Sequence, residues 1–167
     1  MIETLQVVYD DGGRSAAGFF GEAGDCVVRA ISIATQQNYR VVYDAINTIS
    51  RQERHVKMGK RSNSRNGVYR CTYNNYLCCL GAIWTPTMGI GTGCKVHLRQ
   101  GEIPSSGRLV VVLSKHLIAV LDGVIHDKSD PSRNGWRCVY GYYTLPNVIG
   151  GRDGATKDMH GGDQVSR

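Results

Sequence analysis

Gly21-Glu22-Ala23-Gly24-Asp25-Cys26-Val27-Val28-Arg29 sets one cysteine where a glycine-punctuated loop turns into an amphipathic helix. Val27, Val28, Ile31 and Ala34 recur at helical spacing, and Asp25 is expected to cap the helix by accepting from the free N–H groups of its first turn. The pattern predicts a helix over 26–36 with Cys26 in its opening turn. There the positive end of the helix dipole favours thiolate over thiol and draws the pKa below the free value of about 8.5. A thiol so placed is a candidate nucleophile and requires a base.

The base is found in the run from Leu109 to Asp127, where Asp122-Gly123 between two apolar stretches signals a two-residue hairpin. His116 then lies near the start of one strand and Asp127 near the end of its antiparallel neighbour. With Leu121 facing Val124, Ile118 faces Asp127, which brings the carboxylate within about two residues of the imidazole along the ladder. Asp127 is therefore the expected orienting group, with Asp130 and the turn residue Asp122 as competitors. Strand alternation further predicts that His116, Ile118 and Asp127 share the sheet face that meets the Cys26 helix, with His126 and Leu117 on the opposite face.

The strings Gly-Asp-Cys-Val-Val-Arg-Ala-Ile-Ser-Ile-Ala-Thr (24–35), Tyr-Arg-Val-Val-Tyr-Asp-Ala-Ile (39–46), Trp-Thr-Pro-Thr-Met (84–88) and Ser-Lys-His-Leu-Ile-Ala-Val-Leu-Asp-Gly-Val-Ile-His-Asp (114–127) resemble a family of small phage and prophage proteins related to papain-like cysteine peptidases. The resemblance spans about residues 18–146. It implies an α+β fold with N-terminal helices packed on an antiparallel sheet, with Cys26 as nucleophile, His116 as base and Asp127 as orienting group. Papain-like peptidases usually carry a glutamine several residues before the cysteine to donate to the developing oxyanion, and this chain has Phe19-Phe20-Gly21-Glu22 there. An ionised Glu22 would repel that charge, so the approach loop of Glu22, Gly24 and Asp25, with the N–H of Cys26, becomes the expected source of backbone donors.

Composition allows one domain over 1–147 and a polar, glycine-rich tail over 148–167 that is expected to be flexible. No apolar run is long enough to cross a membrane and the N-terminus lacks signal-peptide form, so a cytoplasmic protein of an infected or lysogenic bacterium is expected. On that ground the six cysteines are expected to be reduced. Their spacing gives no metal motif beyond a scattered Cys71, Cys94 and His97 set, and no cofactor is implied: Gly89-Ile90-Gly91-Thr92-Gly93 lacks the helix and later acidic residue of a dinucleotide fingerprint.

Charge is concentrated. Residues 51–70 carry seven basic residues against Glu53 alone, a net of +6 that equals the formal charge of the whole chain. Arg54, Lys57, Lys60, Arg61 and Arg65 are a candidate contact surface for an acidic protein or nucleic acid, and 58–67 reads as an exposed, mobile loop. Tyr69, Tyr73 and Tyr76 could supply stacking for a single strand, although their spacing with Leu77 and Leu80 also fits an ordinary amphipathic helix. A second reading thus stands beside the hydrolase acting on a protein or peptide-like substrate: an inactive peptidase-fold binding module that uses this basic segment. The remaining expected elements are an edge strand over 5–9, helices over 39–55 and 72–80, a Pro86-containing edge strand over 83–87, and strands over 93–99, 108–113, 116–121, 124–126 and 137–143.

Overall fold

The computed structural model describes residues 3–54 and 60–146. The tail over 148–167, His55 and Lys57 lie outside them. The chain order is β1 (Gln6–Tyr9), α1 (Cys26–Thr35), α2 (Tyr39–Gln52), α3 (Arg70–Cys79), β2 (Ile83–Pro86), β3 (Arg108–Leu113), β4 (His116–Leu121), β5 (Val124–Asp127) and β6 (Val139–Thr144). The strands form one sheet in the order β1-β5-β4-β3-β6-β2.

Eight of the ten residues of α1 are buried, so this helix is apolar nearly all round and is sandwiched between sheet and helices. It ends at Gln36, which takes the left-handed conformation that closes many helices. In α2 the buried residues Tyr39, Val42, Ile46 and Ser50 form a single stripe, and the Asn38 side chain caps its start by accepting from Arg40 N–H. Tyr39, Val42 and Ile46 pack with Val110, Val112, Leu117, Ala119 and Tyr143 on one sheet face. Leu109, Val111, Leu113, Ile118, Val120 and Ile125 form a second core on the other face.

The second core explains one departure from expectation. Residues 93–99 form no named strand; His97 makes only an isolated bridge to Cys138. Leu98 and Ile103 are instead buried against the outer sheet face, so their apolar character serves a cover for that face. The sheet is also mixed, because β1 pairs parallel to β5 while the other neighbours are antiparallel. All the intervening helices and strands supply the long connection that a parallel pair requires.

The hairpin between β4 and β5 has the expected register, Leu121 to Val124 and Ala119 to His126. Asp122 and Gly123 both take positive φ, 47° and 77°, as a two-residue turn matched to strand twist demands. At the other edge β2 pairs only with β6, and Gly141 of β6 lies under the Trp84 ring, where a Cβ would meet the indole at 2.3 Å. Cys94 and Cys138 form a disulfide, with Cα atoms 5.8 Å apart, which corrects the expectation of six thiols and removes Cys94 from the scattered metal set. An argument from compartment does not show which cysteines the fold brings together.

Candidate active site

Cys26 opens α1, His116 opens β4 and Asp127 closes β5. The three meet across one end of the sheet. His116 Nε2 and Asp127 Oδ2 are 2.5 Å apart, and the imidazole and the backbone N–H of Leu117 both bear on the Cys26 thiol and lower it. Asp127 is 4% exposed and is fixed from three sides besides. Its Oδ1 accepts from Arg29 at 2.7 Å and from Lys128 N–H at 2.8 Å, while its carbonyl accepts from Asp10 N–H at 3.0 Å through β1. The competitors are occupied elsewhere: Asp122 accepts from Gly107 N–H at the hairpin tip and Asp130 from Ser132 N–H.

The electrostatics follow from these contacts. Burial pushes the Cys26 thiol up, but hydrogen bonds from His116 and the Leu117 N–H, with the charges of His116 and Arg29, outweigh it and the net direction is down. Hydrogen bonds to Asp127 and then to Cys26 raise the imidazole to about 9, against burial. Burial also opposes ionisation of Asp127, yet His116, the Lys128 N–H and Arg29 hold its carboxyl below its ordinary value. The lowered thiol and the imidazole raised to about 9 are both displaced toward an ion pair.

The expected face assignment needs correction. The residues of β4 that pack under α1 are Leu117 and Ala119, whereas Ile118 and Val120 belong to the opposite core. By alternation His116 and Asp127 fall on the same face as the second set, and they reach Cys26 and Arg29 because they are the terminal residues of their strands and swing over the sheet end. His126 pairs with Ala119 and engages Asp10 at 3.1 Å, away from Cys26.

Asp25 is corrected as well. Its side chain makes no cap hydrogen bond. It is 2% exposed and lies in a buried charge network: Arg29 Nε donates to Oδ1 at 3.1 Å, Tyr39 O–H donates to Oδ2 at 2.6 Å, and Arg14 Nε forms an ion pair at 3.1 Å without hydrogen-bond geometry. Burial, then the Asp25 contact, raises the Tyr39 phenol well above its ordinary value, so it remains a donor. Arg29 thus ties Asp25 to Asp127 with one buried guanidinium, and its place at the fourth position of α1, one turn beyond Asp25, was the signal available in the sequence.

Diverting Asp25 leaves the start of α1 uncapped. The first helical bond is Arg29 N–H to the Asp25 carbonyl, and the N–H groups of Cys26 and Val27 have no partner among the described residues. Both residues line a cleft of about 610 Å³, with Gly24, Asn66, Tyr69, Lys115 and His116 around it. Glu22 is exposed and is not among the lining residues, so its carboxylate is not in the position that the missing glutamine would take. Asn66, which sequence reasoning passed over, is in the cleft beside Gly24: Gly24 N–H donates to the Arg65 carbonyl at 2.7 Å, and a Cβ on Gly24 would lie 3.3 Å from the Asn66 carbonyl.

The described part of the basic segment, 51–54 and 60–70, is more ordered and less available than expected. Ser62 and Ser64 are buried; Ser64 donates to the Tyr43 carbonyl, and Ser62 accepts from Ser50 through its carbonyl and from Tyr69 N–H through its hydroxyl. Those bonds pin residues 60–67 to α2, so the polar composition reflects satisfied serines and not a mobile loop. Arg61 caps the carbonyls of Ser50, Arg51 and Glu53, and Arg65 donates to the carbonyls of Phe20 and Glu22. Arg54 and Lys60 are exposed. Tyr73 and Tyr76 are buried in the core, which decides for packing over base stacking. Arg70 covers the Trp84 ring at 4.6 Å.

Among the described residues no helix is long and apolar enough to cross a membrane and no group of three ligating side chains is placed to hold a metal. Compared with protein-family models, curated proteins and solved structures, the chain matches none of them.

Proposed function

We propose that this chain is a cysteine hydrolase of the papain-like kind, encoded by a phage or prophage and acting on an amide or isopeptide bond of a protein or peptide-like substrate. The observation that carries the reading is the shared imidazole: His116 has Asp127 on Nε2 and the Cys26 thiol as its other partner, with the two acidities displaced toward an ion pair. A catalytic cysteine needs this, a nucleophile ionised at neutral pH beside a proton donor.

The Cys26 thiolate attacks the carbonyl carbon, and the electron pair of the C=O bond moves to oxygen. The N–H groups of Cys26 and Val27 are the donors available to that oxyanion. Collapse restores the C=O and breaks the C–N bond as imidazolium passes its proton to the departing amine, leaving a thioester. Water, deprotonated by the now neutral His116, then attacks the thioester and releases the acid, restoring thiolate and imidazolium. The second reading, a binding module using the basic segment, is weaker because Arg61 and Arg65 spend their donors on the chain's own carbonyls.

The test is to present a neutral activated ester to the wild-type protein and follow both released alcohol and protein mass. The expected outcome is an acyl adduct on Cys26 that turns over. Turnover should fall on the acid side as the lowered thiol protonates; with an amide in place of the activated ester it should also fall on the alkaline side near pH 9, because His116 there loses the proton that the departing amine needs. Ester that reacts no faster than with Cys26→Ala would reject the hydrolase.

A further inference from the structure

The β3–β4 turn, Ser114-Lys115, has the active-site cleft on one side and a second cavity of about 510 Å³ on the other. Lys115 lines both. The second cavity is otherwise walled by Arg133, Arg137, Trp136 and Tyr140, with no acidic side chain among its lining residues. None of Lys115, Arg133 and Arg137 has an ion-pair partner among the described residues. Arg137 donates to the Ser114 carbonyl at 2.8 Å, and its Nε–H is buried with no acceptor. Three cations collected in one concavity, one of them with a buried donor unspent, leave a need for an anionic acceptor. Trp136, 60% exposed, closes the wall; Arg99 lies over its ring at 5.3 Å and His97 meets it edge-on.

Sheet geometry gives the cavity's relation to the chemistry. Leu113 pairs with His116 on one side and with Val139 on the other, so the cavity lies at the same sheet end as the catalytic pair, two strands over. Two strand spacings are roughly 10 Å, the length of about three extended residues. We propose that this cavity is a specificity site for a carboxylate side chain, Asp or Glu, of a polypeptide substrate, about three residues from the bond attacked by Cys26. The assignment rests on the hydrolase reading for its link to the scissile bond. A peptide suits it better than a nucleic acid: the cations converge on one concave site instead of following a track of phosphates, and the site shares a sheet end and Lys115 with the cleft of a thiol whose proposed chemistry is directed at carbonyls.

The probes are two capped peptides, acetyl-(Gly-Glu)₃-amide and acetyl-(Gly-Gln)₃-amide, and oligothymidylate. Two readouts are taken: the rate at which iodoacetamide labels Cys26, and the indole emission that is lost in Trp136→Phe. The Glu peptide should change that emission and slow labelling about tenfold at a concentration where the Gln peptide slows it less than about twofold. Arg133→Asn and, separately, Lys115→Asn should each erase the difference; asparagine tolerates the left-handed backbone at these positions, where φ is 52° and 57°. Equal effects of the two peptides, no emission change with the Glu peptide, or tighter binding of oligothymidylate would overturn the proposal. If Cys26 shows no enhanced labelling without any peptide, the hydrolase reading fails by itself, and the emission titration still judges the carboxylate site.

Discussion

His116→Ala is expected to cut turnover of an activated ester at Cys26 by about 10⁴-fold or more, the scale on which members of such catalytic sets fail when removed. The substitution removes the first of the partners that lower the thiol, and the imidazole beside it. His126→Ala should stay within about tenfold of wild type and cost on the order of 1 kcal/mol of stability, because His126 engages only Asp10 among its recorded side-chain partners. The two imidazoles are ten residues apart on neighbouring strands, so the contrast separates a site from general damage to the sheet. Ester kinetics on the two purified variants, with folding verified by circular dichroism, gives the answer. Equal activity in both would remove the Cys/His couple from the account.

Asp25→Ala should lower stability by about 3–5 kcal/mol, because it leaves the buried Arg14 guanidinium with carbonyl acceptors only and Arg29 with one carboxylate in place of two. Arg14 and Arg29 are each 7% exposed, and Asp25 is the carboxylate they share. Tyr39 O–H loses its acceptor as well. Against a typical total of about 5–15 kcal/mol, that loss would show as a large fall in the urea midpoint with an unchanged slope. Arg29 would keep Asp127 as its remaining anchor, so surviving folded protein should show weakened, not abolished, turnover. A midpoint that moves by less than the equivalent of about 1 kcal/mol would mean that the network is solvated and contributes little.

That Cys26, His116 and Asp127 come together was legible in the sequence because each sits at a boundary with a strong local signal. Cys26 follows a glycine loop and opens a helix, and Asp122-Gly123 sets the register that carries Asp127 back toward His116. Asp25 was read by a local rule, capping, that lost to charges arriving from elsewhere: Arg14 lies eleven residues earlier, Tyr39 fourteen later, and both meet it only after folding. The same limit applies to β1, whose parallel partner is over a hundred residues away, and to Leu98 and Ile103, whose apolar character marked burial but not strand. Period-two alternation identified which residues share a face of β4, but not that His116 and Asp127 at the strand ends would bend over the sheet margin. The serines at 62 and 64 looked like loop composition because nothing in their own sequence shows that Tyr43, Ser50 and Asn47 satisfy them.

The central claim is that Cys26 is a thiolate held by an imidazolium at neutral pH, and the rate of its alkylation as a function of pH tests this most directly. Cys71, Cys78 and Cys79 are exposed and Cys26 is only partly so, which means that access alone would make Cys26 the slowest of the four. After a short pulse of iodoacetamide mapped by mass spectrometry, Cys26 should nevertheless carry most of the label at pH 7, with a rate that titrates below the free-thiol value of about 8.5 and drops to the level of the exposed thiols or lower in His116→Ala. Labelling of Cys26 that is no faster than that of Cys71, with a midpoint at or above the free-thiol value, would contradict the account.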